Sequence, residues 1–112
     1  MPLEGLSLFF PCRNEGGNLA ALVSEALDAL PALATRYEVI IVDDGSTDET
    51  PGVAAQLMAA HPGVVFLVRH EHGRGYGGAL RSGFAAARME QIAFTDGQTG
   101  NRQYIIGSGI GG

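Results

Sequence analysis

The sequence contains no lysine, no tryptophan and a single cysteine, Cys12. Without lysine there is no Walker-type phosphate loop, which needs a Gly-Lys step, and no Schiff-base chemistry. A lone cysteine forms neither an internal disulfide nor a cysteine zinc cluster. No signal peptide and no apolar run of transmembrane length is present, so a cytoplasmic location is the expectation. Positive charge is scarce: twelve acids face seven arginines, for a net charge of −5. That balance argues against a general nucleic-acid or anionic-membrane surface, so no nucleic-acid partner is expected. What remains is a chain of 112 residues, 46% hydrophobic, enough for one domain with one modest core.

The most informative stretch is Tyr37–Thr50. Glu38–Val42 is a β-branched apolar run typical of a buried strand. It stops at Asp43, Asp44 and Gly45, followed by hydroxyl residues. Ser46 and Glu49 have the spacing of a capping box, and Pro51 fits a first helical turn. A strand therefore runs through a tight turn into a helix, with two acids at the strand's carboxyl end. In open α/β sheets that edge is where ligands bind.

The same grammar repeats along the chain. Leu6–Phe10 reads as a first strand. Asn18–Leu30 reads as a helix whose stripe is Leu19, Leu22, Val23, Ala26, Leu27 and Leu30, broken by Pro31. A second helix covers about Asp48–Ala60 and ends at His61-Pro62-Gly63. Val64–Val68 is a third strand, and a glycine-rich loop, His70–Gly78, leads to a third helix over about Ala79–Met89. Ile92–Thr95 is a fourth strand and Tyr104–Ile106 a fifth. Such alternation predicts an α/β fold: a mostly parallel sheet with right-handed crossovers and helices on both faces. The loops Pro11–Gly17, Asp43–Thr47, His70–Gly78 and Asp96–Gln98 each follow a strand, so all four should meet on one edge.

Each candidate residue there has a structural alternative. Glu15 can accept hydrogen bonds from a ribose or base, or serve as a carboxylate at a helix N-terminus. Asp43 and Asp44 can hold a ligand or cap the turn. Gly73-Arg74-Gly75-Tyr76-Gly77-Gly78 contains G-x-G-x-x-G, which suggests a dinucleotide site, although it follows the third strand rather than the first. Arg74 and Arg81 add charge that suits a diphosphate. Asp96 is an oxygen ligand suited to a divalent cation. His61, His70 and His72 show no metal spacing; His61 is expected to pack beside Pro62, and His70 and His72 to lie in a loop.

Together, Phe10-Pro11-Cys12-Arg13-Asn14-Glu15, Val39–Asp48 and Gly75–Phe84 resemble the family 2 glycosyltransferases, in particular the polyprenol-phosphate (dolichol-phosphate mannosyltransferase-like) subgroup. The resemblance spans roughly Leu6–Gly97. It implies a Rossmann-like, GT-A-type fold and a nucleoside-diphosphate sugar as donor, with a lipid phosphate such as a polyprenyl phosphate as acceptor in the full-length family. It implies that Pro11 and Glu15 line the nucleoside pocket, that Asp44 with Asp43 holds the base or ribose, and that Arg81 lies near the donor. The family's Asp-x-Asp, which holds Mg²⁺ or Mn²⁺, is here Asp96-Gly97-Gln98, so only weak metal support from Asp96 is expected. The spacing to Tyr104 implies a single nucleotide-sugar-binding domain, 1–112, truncated, with an internal deletion near 97–104. Such a domain is not expected to turn over alone, and an exposed sheet edge would favour a homo-oligomer. Two other readings are a non-catalytic nucleotide-binding module and a fragment of an NAD-dependent oxidoreductase.

Overall fold

The structure, a computed structural model, describes residues 3–95 and the strand at 105–108. The elements are β1 (Leu3–Cys12), α1 (Gly16–Leu33), β2 (Ala34–Asp44), α2 (Thr50–Ala60), β3 (Val65–His70), α3 (Gly75–Ala86), β4 (Gln91–Phe94) and β5 (Ile105–Ser108). They form one five-stranded sheet in the order β3-β2-β1-β4-β5. The β1–β2, β2–β3 and β1–β4 pairs are parallel, and β5 runs antiparallel to β4. The expected Rossmann-like, mostly parallel sheet is what forms.

Strand alternation divides the core between the two faces. Leu6, Leu8, Phe10, Val39 and Ile41 pack against the α1 stripe Leu19, Leu22, Val23, Ala26 and Leu30, with Ala54 of α2 beside them. Phe9, Ile40, Val42 and Ile92 face the other way, toward Ala79 of α3. Phe9 anchors that second face, stacked on Phe94 at 5.3 Å and edge-on to Phe84 at 5.2 Å. Gly83 lets α3 come this close, because a Cβ there would run into the Phe9 ring.

Several boundaries differ from the sequence pattern for local reasons. Pro31 does not end α1. It sits in the last turn, and the Ala34 amide donates to the Leu30 carbonyl beyond it. α3 starts at Gly75, absorbing part of the glycine-rich loop. It ends at Ala86, short of Met89, because the Arg88 and Met89 amides donate to the Glu38 carboxylate and the Ser7 hydroxyl. Ser46 and Glu49 form no capping box: α2 begins at Thr50 with no side-chain cap on Glu49. The Ser46 hydroxyl instead accepts the Asn14 amide at 2.9 Å.

One ionic cluster lies where the carboxyl-edge loops do not reach. Glu38, 1% exposed, accepts the Ser7 hydroxyl at 2.6 Å and the Arg88 guanidinium at 2.9 Å. Arg88 also lies over the Phe66 ring, 4.6 Å from its centre. A buried carboxylate is tolerable because each oxygen is hydrogen-bonded. The cluster fixes the turn between α3 and β4 against β1 and β2.

Candidate functional site

The site forms where β1 and β2 end side by side, with Cys12 in register with Asp43. Beyond these ends the two loops bind each other. Asn14 adopts the left-handed conformation, φ 55°, and its side-chain oxygen accepts the Thr47 amide at 2.8 Å and the Asp48 amide at 3.3 Å. In return, Thr50 Oγ1 accepts the Glu15 amide at 3.0 Å and Asp48 accepts the Gly16 amide at 3.2 Å. The Asp48 carboxylate also accepts the Thr50 hydroxyl and amide, which hold it below the usual carboxylate range against the opposing effect of burial.

Asp43 and Asp44 point to opposite faces, as neighbours in a strand must. Asp43 is fully buried on the α1 face. Its Oδ1 accepts the Ser46 amide at 3.1 Å, and among the described residues its Oδ2 takes no hydrogen bond, with Arg69 Nε 3.8 Å from it. Asp44 faces α3. Its Oδ1 accepts the Arg74 amide at 2.8 Å and meets His70 Nδ1 at 2.7 Å, and its Oδ2 accepts the Gly75 amide at 3.0 Å. Burial opposes this charge, but the Arg74 amide, His70 and the Gly75 amide outweigh it and lower the Asp44 pKa.

The glycine-rich turn therefore does not present these two amides to a pyrophosphate. The first N–H groups of α3 are taken by the chain's own carboxylate, which fills the anion position that a helix N-terminus favours. The close approach of the two loops depends on Gly45, at φ 79°, where a Cβ would lie 2.6 Å from the Gly73 nitrogen.

Between these loops lies a cleft of about 200 Å³ lined by Pro11, Cys12, Arg13, Asp44, Gly75, Tyr76 and Ala79. Of the residues singled out in the sequence, Pro11 and Asp44 line it. Glu15 is the N-cap residue of α1, Asp43 faces the other side of the sheet, and Arg81 is exposed on α3; none of the three is among the lining residues. Asp96 lies outside the described residues, and among the described residues no group of three His, Cys, Asp or Glu side chains could hold a metal ion. Arg13 is the cationic wall that the sequence did not single out. Burial, reinforced by Asp43, Glu15 and Asp48, pushes the Cys12 thiol up to about 12, so this wall is a neutral thiol and not a nucleophile.

His70 is the other surprise. It ends β3, is 3% exposed, and its Nε2 meets Ser82 Oγ on α3 at 2.8 Å. The signal for this was its parity with Phe66 and Val68 on the α3 face of the strand.

Comparison with known proteins places this cleft in context. A family model described as "Glycosyl transferase family 2" matches residues 7–97. The chain is 38% identical over 104 residues to the human dolichyl-phosphate beta-glucosyltransferase, covering 85% of this chain and 31% of that protein. It is 33% identical over 96 residues to the dodecaprenyl-phosphate galacturonate synthase of Rhizobium johnstonii, covering 86% of this chain and 28% of that one. The solved mannosyltransferase PcManGT of Pyrobaculum calidifontis, in complex with GDP-Man and Mn²⁺, superposes with a TM-score of 0.61 at 30% identity, over 81% of this chain and 26% of that one. The chain thus spans about a third or less of the length of these proteins.

Proposed function

This chain belongs to glycosyl transferase family 2, and on that premise we propose that it forms the donor-binding part of a transferase that moves a sugar from a nucleoside diphosphate to a lipid phosphate. The observation that carries the proposal is the cleft at the carboxyl edge of the parallel sheet, with an ionised acid, Asp44, on one wall and Arg13 on another. The acid suits the N–H and O–H donors of a base or ribose, and the guanidinium suits a diphosphate. The printed activities of the relatives, on dolichyl and dodecaprenyl phosphate, supply the acceptor class.

In the reaction, an ionised phosphate oxygen attacks the anomeric carbon. The new carbon–oxygen bond forms as the bond to the diphosphate breaks, and the electron pair leaves on the diphosphate. Arg13 offsets that charge within this chain. A bound Mg²⁺ or Mn²⁺ would supply further charge compensation on the diphosphate. Asp96 is the residue proposed to hold it, and one carboxylate makes such support weak. Self-association is a further proposal, supported by β5 standing at the end of the sheet order and tested by light scattering.

Calorimetric titration with UDP, GDP and NAD, with Mn²⁺ and with chelator, tests the donor reading. Saturable binding of a nucleoside diphosphate, tighter than NAD, is expected. Preference for NAD would favour the oxidoreductase reading, which the family match already disfavours.

A further inference from the structure

Asp44 has four acceptor positions on its two oxygens. Oδ1 is used twice, by His70 Nδ1 and the Arg74 amide, and Oδ2 once, by the Gly75 amide. Among the described residues one acceptor position is left, on Oδ2, and Asp44 is a wall of the cleft. Which oxygen keeps it depends on the side-chain orientation, and His70 is the only side chain among these partners. His70 is itself held from behind. An ionised carboxylate only accepts, so Nδ1 carries a proton and donates it, while Nε2 pairs with the Ser82 hydroxyl at 2.8 Å. The imidazole, 3% exposed, thus ties the ends of β2 and β3 to the body of α3.

We propose that His70, anchored by Ser82, is a positioning residue that orients the Asp44 carboxylate so that a single acceptor, on Oδ2, is aimed into the nucleotide cleft. This deepens the donor-binding reading and rests on it. The chain Asp44–His70–Ser82 has the connectivity of a nucleophilic triad, but Ser82 is not among the residues that line the cleft, so its hydroxyl anchors the ring and attacks nothing. A residue held behind a binding group controls affinity by fixing that group's orientation, as with metal-binding histidines held by carboxylates. A side chain at position 70 that keeps an N–H donor should therefore preserve function better than one that keeps only the volume.

Four proteins decide it: the parent chain, His70→Phe, His70→Gln and Ser82→Ala. Each is titrated with UDP and GDP by calorimetry, and its folding is followed by thermal melting. His70→Phe should weaken the nucleotide that the parent binds by about tenfold, equivalent to ~1.4 kcal/mol. His70→Gln should recover most of that loss, and Ser82→Ala should weaken binding by a smaller factor. If the parent binds and His70→Phe matches it, or if His70→Gln is no better than a folded His70→Phe, the positioning role falls and the donor reading stands. If the parent binds neither nucleotide, both fall. Should His70→Phe fail to fold, Ser82→Ala decides alone: unchanged affinity overturns the proposal and weakened affinity supports it.

Discussion

Asp43 and Asp44 are consecutive, yet they serve opposite faces of the sheet: Asp43 holds the Ser46 amide on the α1 side, and Asp44 holds the Arg74 and Gly75 amides on the α3 side. The strand's pleat turns what reads as a repulsive acid pair into two separate anchors, one for each loop. The loop after β2 closes around Asp43, and the glycine-rich turn closes around Asp44. Only the second carboxylate is left on the wall of the cleft.

Acid should release the second anchor. The Asp44 pKa is lowered in the folded protein, so its contribution is fully present above the unfolded value near 3.8. It is lost as pH falls from there through the lower folded value. The melting temperature should therefore drop in that window. Asp44→Asn should be less stable than the parent at pH 6 and show a shallower acid decline; parallel melting curves across the pH range would contradict the assignment.

Asn14 combines a rare backbone conformation with a clamp on the neighbouring loop. Glycine keeps the conformation and loses the clamp, whereas alanine loses both. Asn14→Gly should cost about 1 kcal/mol for the lost hydrogen bonds. Asn14→Ala should cost about 1 kcal/mol more for the left-handed backbone. Urea denaturation of both variants gives the ranking, and an alanine variant as stable as the glycine one would refute it.

Burial decides the worth of the two arginine–glutamate pairs. In Arg36–Glu90 both side chains are well exposed, 58% and 43%, so Arg36→Ala should cost under about 1 kcal/mol. Arg88→Ala leaves Glu38, 1% exposed, with only the Ser7 hydroxyl and a backbone amide. That should cost about 2–3 kcal/mol, below the full penalty for breaking a buried pair because Arg88 is itself largely solvated. Equal midpoints for the two variants in denaturant would overturn this weighting.

The sheet and the helix on each crossover were legible because the strands are short, largely apolar runs bounded by turn residues and α1 carries a clean 3.6-residue stripe. The edge where the site lies followed from the parallel order alone. What the sequence hid was side-chain direction and long-range exchange. Ser46 looks like a cap for its own helix, but Asn14, thirty-two positions away, supplies a better-placed amide. The G-x-G-x-x-G pattern looks like a pyrophosphate cradle, but Asp44 occupies its amides. His70 reads as a loop residue until β3 is extended to include it. Glu38 opens an apolar run with no sign of Ser7 or Arg88, which come from distant segments.

The central claim, that a nucleoside diphosphate occupies the cleft beside Asp44, is tested most directly by mapping amide chemical shifts during titration with UDP and GDP. The account predicts saturable shifts concentrated at Cys12, Arg13, Asp44, Gly75, Tyr76 and Ala79, with Arg36 and Glu90 at the opposite end of the strands unaffected. Shifts that cluster around Arg36 and Glu90, or none at millimolar nucleotide, would contradict it.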